Sequence, residues 1–182
     1  MGRPGDKQYP PADRGEAMSE FTLEKDIWTD ADFARMSFHD TVVWSMLSDP
    51  DRRECFFDID YIFRWVKPGP GETHFKFWIA PVTLVFENAH SIKIDAKPSK
   101  GLATILELHC EDARSTRSGM PTEQLYIFEC VSGEIQLRAT GYRMRVRKPP
   151  RLGSEQDLGL IMRDGVSFEE TQPLRGAAGH SV

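Results

Sequence analysis

The chain has 182 residues, of which 40% are hydrophobic and 28% charged, and it carries a formal net charge of −5. That length and composition suit one packed domain with tails, and the acidic balance gives no electrostatic reason to expect nucleic acid or an anionic membrane as partner. No apolar run approaches the ~20 residues that cross a bilayer, and residues 1–20 carry Arg3, Lys7 and Arg14 without the apolar stretch of an export signal.

Residues 1–27 read as a disordered leader, a β domain is expected over 28–148, and a polar extension over 149–182. Thr29 followed three residues later by Asp32 is a capping box, and it predicts a short N-terminal helix carrying Phe33 and Met36. Residues 39–47 then alternate, with Val42, Trp44 and Met46 on one side, until Asp49-Pro50-Asp51 breaks the strand. Residues 56–66 are the most informative stretch. Phe57, Ile59, Tyr61, Phe63 and Trp65 form an unbroken apolar row, and the opposite row holds Asp58, Asp60 and Arg64 among Phe56, Ile62 and Val66. That is a strand with one face in a core and charges on the other.

Over 73–87 the phase changes: Phe75, Phe77 and Ile79 face one way, while Val82, Leu84 and Phe86 are offset by one. Pro81 at the switch predicts a bulge or bend at a sheet edge or corner. Further strands are expected around Ile92 and Ile94, over 102–110, over 125–130 and over 135–146, the last slipping phase at Gly141. About seven strands joined by short loops predict an all-β protein with minor α content, an antiparallel meander forming a sandwich or half-barrel. In the extension, Ser154 and Asp157 can cap a short helix through Met162, which Gly159 weakens by ~1 kcal/mol. Disorder is expected from Thr171 onward.

Burying the apolar rows together sets the register. Val42, Trp44 and Met46 then lie beside Phe57, Ile59 and Tyr61, sending His39, Thr41 and Ser45 to the face of Asp58, Asp60 and Arg64. The next hairpin brings Lys76 opposite Arg64 and Trp78 opposite Ile62. The expected contact surface for a protein partner is therefore His39, Asp58, Asp60, Ile62, Arg64, Lys76 and Trp78, because aromatic and arginine anchors beside acids make interface hot spots. The same face also fits a solvated surface with weak ion pairs. Asp58 and Asp60 stand ~6.6 Å apart along the strand, near the short end of inverting two-carboxylate spacing. A small hydrolase or isomerase with one of them as general base beside His39 is thus the alternative. A small-ligand carrier would need the row from Phe57 to Trp65 to line an open cavity.

Other features carry less. His74, His90, His109 and His180 are too dispersed for a metal triad, so no metal is expected. No Gly-x-Gly-x-x-Gly, Walker loop or Gly-x-Ser-x-Gly occurs, so no cofactor is expected either. Cys55, Cys110 and Cys130 are odd in number and widely spaced, which fits free thiols in a reducing, cytoplasmic setting. Arg143, Arg145 and Arg147 form a basic row suited to anion binding, or to discouraging edge pairing with another chain.

The step Phe38-His39-Asp40, after the segment from Trp28 to Phe33, resembles the opening strand of small bacterial β-proteins, some of them catalogued as immunity proteins of polymorphic-toxin systems. Phe57-Asp58-Ile59-Asp60-Tyr61, Phe75-Lys76-Phe77-Trp78-Ile79-Ala80-Pro81 and Ala139-Thr140-Gly141-Tyr142 resemble members of that group with no assigned role. The likeness covers roughly residues 28–148. It implies binding and neutralisation of a cognate toxin, and it brings no catalytic residues. The expected function is therefore that of a cytoplasmic, non-enzymatic binding protein.

Overall fold

The computed structural model describes residues 21–98, 100–115 and 121–170. Most of the expected leader, all of the chain from Thr171, and His180 lie outside the described residues. The elements in chain order are β1 (Ile27–Thr29), a 3-10 turn (Asp30–Arg35), β2 (Thr41–Asp49), β3 (Glu54–Val66), β4 (Lys76–Glu87), β5 (His90–Ala96), β6 (Ala103–Arg114), β7 (Glu123–Cys130), β8 (Gly133–Ala139), β9 (Gly141–Val146), β10 (Arg151–Gly153) and α1 (Gly159–Met162). One open ten-stranded sheet runs β1-β9-β4-β3-β2-β6-β7-β8-β5, with β10 added beside β4. The seven expected strands are all present. The count rises because 135–146 divides into β8 and β9, and because β1 and β10 are three-residue strands too short to show periodicity.

The sheet is strongly curled. In a flat sheet β3 and β7, three steps apart in the strand order, would stand ~14 Å from each other, yet the Phe57 and Phe128 rings stack at 5.0 Å between centroids. The concave face encloses the main core, with Phe57, Ile59 and Tyr61 from β3, Val82, Leu84 and Phe86 from β4, and Leu137 and Met144 from β8 and β9. The row from Phe57 to Tyr61 is thus a packed interior, as the alternation implies.

Four local expectations are corrected. A β-bulge between Val43 and Ser45 changes the phase of β2, so Val43 pairs with Ile59 inside while Val42 stands opposite Asp60 on the convex face. A second bulge between Ile62 and Arg64 shifts the β3–β4 register. Trp78 therefore faces Arg64, Lys76 faces Val66, and Trp65 crosses to the convex side. There Ile62, Phe77 and Ile79 make a second small core with Trp65 and Leu158. The apparent phase switch in 73–87 is no bulge in β4, whose pairing with β3 runs regularly through Asp60↔Pro81 and Ile59↔Val82. It records a change in which face is buried. Pro81 stands where β4 exchanges one neighbour for another, β10 at Phe77–Ile79 and β9 from Val82 onward. There its missing N–H costs no ladder bond, and its carbonyl accepts from the Arg147 N–H at 3.0 Å.

The helices are also smaller than expected. Asp32 accepts from the Thr29 N–H at 2.9 Å as the capping box implies, but the segment it starts is a six-residue 3-10 turn. Phe33 and Met36 still pack against the main core. At the other end, α1 spans only Gly159–Met162. The Leu158 N–H goes to Asp60 at 2.9 Å and the Gly159 N–H to Asp157 at 3.0 Å, while Gly159 holds φ at +65°. Those bonds occupy the amides that an earlier helical turn would use.

Candidate functional site

The two aspartates of β3 lie on the convex face, but solvent does not reach them. Both are 0% exposed, because residues 154–170 cross over them as a strap. Arg163, 3% exposed, supplies the centre of this contact. Its Nη1 donates to Asp58 Oδ2 at 2.8 Å and its Nε to Asp60 Oδ1 at 3.1 Å, and its Nη2 reaches Asp58 Oδ1. Asp58 also accepts from the Ser167 N–H at 3.0 Å and from Arg147 Nη2. Asp60 also accepts from the Trp44 indole Nε1 and from the Leu158 N–H, each at 2.9 Å. The expected indole beside the acids is therefore present, but it is Trp44, which the β2 bulge swings outward. The Arg163 guanidinium lies 5.2 Å from that ring's centroid.

Two carboxylates and two guanidiniums balance in charge, so the cluster can be buried with every oxygen satisfied. Burial raises the Asp60 carboxyl above its ordinary value, against the opposing pull of Arg163. Burial likewise lowers Arg147, with Asp58 opposing. The strap is fixed at further points. Thr83 Oγ1 donates to the Glu169 carbonyl at 2.8 Å, Gln156 Nε2 donates to Asp40 at 2.7 Å, and Phe168 meets Phe56 edge-on at 6.3 Å.

Two arginines of the expected row, Arg143 in β9 and Arg147 just after it, serve the same strap. Arg143 binds Glu170 at 2.7 Å and Glu54 and Glu87 at 2.9 Å each, bonds that hold its guanidinium above its usual range. Arg147 is spent on Asp58 and the Ser167 carbonyl. Of the residues expected to bind an anion, these two are already neutralised by carboxylates of the same chain. Arg145, between them on the same face, is half-buried.

The remaining expected contact residues lie elsewhere. Ile62 is buried in the small convex core. Arg64, Lys76 and Trp78 cluster at the free end of the β3–β4 hairpin: Arg64 sits 5.1 Å over the Phe21 ring, and Phe21 lies 5.5 Å from Trp78. Lys76 pairs with Glu72. His39 stacks on Trp65 at 5.9 Å and places Nδ1 2.9 Å from the Leu106 carbonyl. That contact requires the proton on Nδ1, and its Nε2 points to Asp40 at 3.4 Å. Among the described residues no hydrogen bond joins His39 to Asp58 or Asp60, so the groups needed for a base beside a histidine are not assembled. Among the described residues, the side chains close enough to share a cation are Glu107, His109 and Glu129, with ligand atoms within 4.8 Å of one another at the surface.

Sequence reasoning missed Arg163, Leu158 and Ser167. The signal that could have found them is the convex row itself: Phe56, Ile62 and Val66 beside Asp58 and Asp60 are too apolar for a bare face, and something had to cover it. No helix among the described residues is long and apolar enough to cross a membrane. No protein-family model, curated protein or solved structure matches this chain.

Proposed function

We propose that this chain is a non-enzymatic binding protein that recognises another protein through the free end of the β3–β4 hairpin. The observation that carries this reading is the large rings presented on both faces of that end: Trp78 beside Arg64 on one face, Trp65, Phe75 and Phe77 on the other. Phe75 is 41% exposed, Trp65 touches Phe75 at 5.9 Å and Phe77 at 4.9 Å, and Trp78 stands half-exposed opposite Arg64. Rigid aromatic rings and arginine supply contact area at low entropic cost, the composition of interface hot spots. Arg64, Lys67, His74 and Lys76 outnumber Glu72 in this region, so the fitting partner presents an acidic surface around an apolar socket. His39, on the far side of Trp65, completes the patch.

Asp58 and Asp60 have a different role in this reading: they hold the strap and do not touch the partner. The immunity-like form of the activity, neutralising a cognate toxin inside a bacterial cytoplasm, rests on the Phe38-His39-Asp40 resemblance and on three unpaired cysteines. The test is binding between the purified chain and the product of the gene beside its own. Wild type should bind tightly, and the pair Arg64→Glu and Trp78→Ala should weaken it by about 100-fold, the loss of two hot-spot anchors. Equal affinity in wild type and variant overturns the assignment.

A further inference from the structure

We propose that this protein pairs with a second copy of itself through the free edge of β5, the two strands running antiparallel with Ile94 opposite Ile94. Among the described residues β5 ends the strand order and is paired on one side only, with β8. The Lys97 N–H donates to the Ser132 carbonyl at 2.8 Å. Because backbone direction alternates along an antiparallel strand, Lys93, Asp95 and Lys97 turn their polar groups toward β8. Ile94 and Ala96 therefore turn theirs to the open side. An unpaired row of this kind is a template for another strand, and Ile94 on it is 47% exposed.

The side chains choose the occupant. With Ile94 on the two-fold axis, Lys93 of each copy lies opposite Asp95 of the other, and Ile92 lies opposite Ala96. Centring the pair on Lys93 or Asp95 instead would set like charges face to face. Lysine on an edge strand ordinarily repels another chain, but here an aspartate two residues on cancels it in one register only. Asp95 also has an unmet need. Its partner across the β8 ladder is Glu134, a like charge, and Lys93 of a second copy would offset it from the other side. The contact is isologous, so it closes as a dimer instead of growing into a fibre. A seven-residue edge falls short of the ~1,000 Å² typical of stable complexes, so the dimer dissociates on dilution.

Sedimentation of the full chain across a concentration series tests this. Wild type should move from the mass of one chain toward that of two. Lys93→Asp and Asp95→Lys should each weaken association by about tenfold or more, because each sets like charges opposite one another twice. The double variant, with the charges exchanged, should recover it. Amide exchange at Ile94 and Ala96 should slow as concentration rises. The proposal is overturned by any of these results: a wild type that stays single, single variants that associate as well as wild type, a folded double variant that fails to recover, or a dimer whose Ile94 and Ala96 amides exchange freely. Amides protected in the single chain would mean its own terminus covers the edge, which equally sinks the proposal.

Discussion

The Arg163 guanidinium meets the Asp58 carboxylate side-on across 105 residues of chain, with both groups sealed from solvent. Removing one partner of such a pair leaves an uncompensated buried charge, which costs about 3–5 kcal/mol. Arg163→Leu should lower unfolding free energy by that amount and expose the strap to protease first. Ile161→Ser is the control two residues away. Ile161 is 90% exposed, so this change should stay within about 0.5 kcal/mol of wild type. Urea denaturation of the two variants separates the cases, and equal midpoints would refute the anchoring role of Arg163.

The raised carboxyl of Asp60 gives stability a particular pH dependence. Its native state holds a proton more tightly than the unfolded chain, whose value is 3.8. Between 3.8 and the raised native value the folded form carries more protons, so this group's contribution falls as pH rises and is flat above that window. Asp60→Asn should remove that slope. A difference curve between wild type and variant that rises with pH across the window would contradict this sign.

Glu170 works with the opposite sign. Burial pushes its carboxyl up, but the hydrogen bonds and charge of Arg143 and Arg52 outweigh burial and hold it below its ordinary 4.5. Its contribution is present above 4.5 and is lost as pH falls through the depressed native value. Glu170→Gln should therefore be less stable than wild type at neutral pH, and the gap should close in acid. A gap that persists unchanged at low pH would show that the loss does not come from the Glu170 charge, and no gap at neutral pH would show that Arg143 finds enough in Glu54 and Glu87.

Alternation in 56–66 reveals the core row of β3 because every second side chain from Phe57 to Tyr61 is large and apolar, and one strand needs no partner to declare its period. What stays hidden depends on two-body geometry. The bulges at Trp44 and Phe63 arise from pairing with neighbours and leave no glycine or proline as a marker, so simple alternation puts Trp44 and Trp65 on the wrong faces. The burial of Asp58 and Asp60 depends on Arg163, a single arginine in a segment without periodicity. No local rule links residues a hundred positions apart. Pro81 is legible as a special place, but its meaning, a change of neighbour along β4, requires the sheet order.

Trp44 offers a way to weigh one hydrogen bond of the cluster without emptying it. Trp44→Phe keeps an aromatic face for Arg163 but deletes the Nε1–H bond to Asp60 at 2.9 Å. A hydrogen bond to a charged group contributes about 1.5–3 kcal/mol, and the loss should fall within that range. The double variant with Asp60→Asn should cost less than the sum of the two single changes, since both act on one contact. Strict additivity in a denaturation cycle would show that indole and carboxylate are not coupled.

Gly133 tests how β5 is held. It sits at φ +105°, and a Cβ there would lie 1.8 Å from the Asp95 carbonyl oxygen and 3.1 Å from the Ala96 Cα. No side-chain rotation relieves a clash with backbone, so Gly133→Ala must push β5 away from β8 at the Ala96 end. The combined positive-φ strain and ladder loss should cost about 1–3 kcal/mol. Amide exchange should quicken at Lys97, whose bond to Ser132 closes that end, while the amides of β3 and β4 stay as slow as in wild type. Uniform quickening across all strands would instead show that β5 unfolds only with the rest of the sheet.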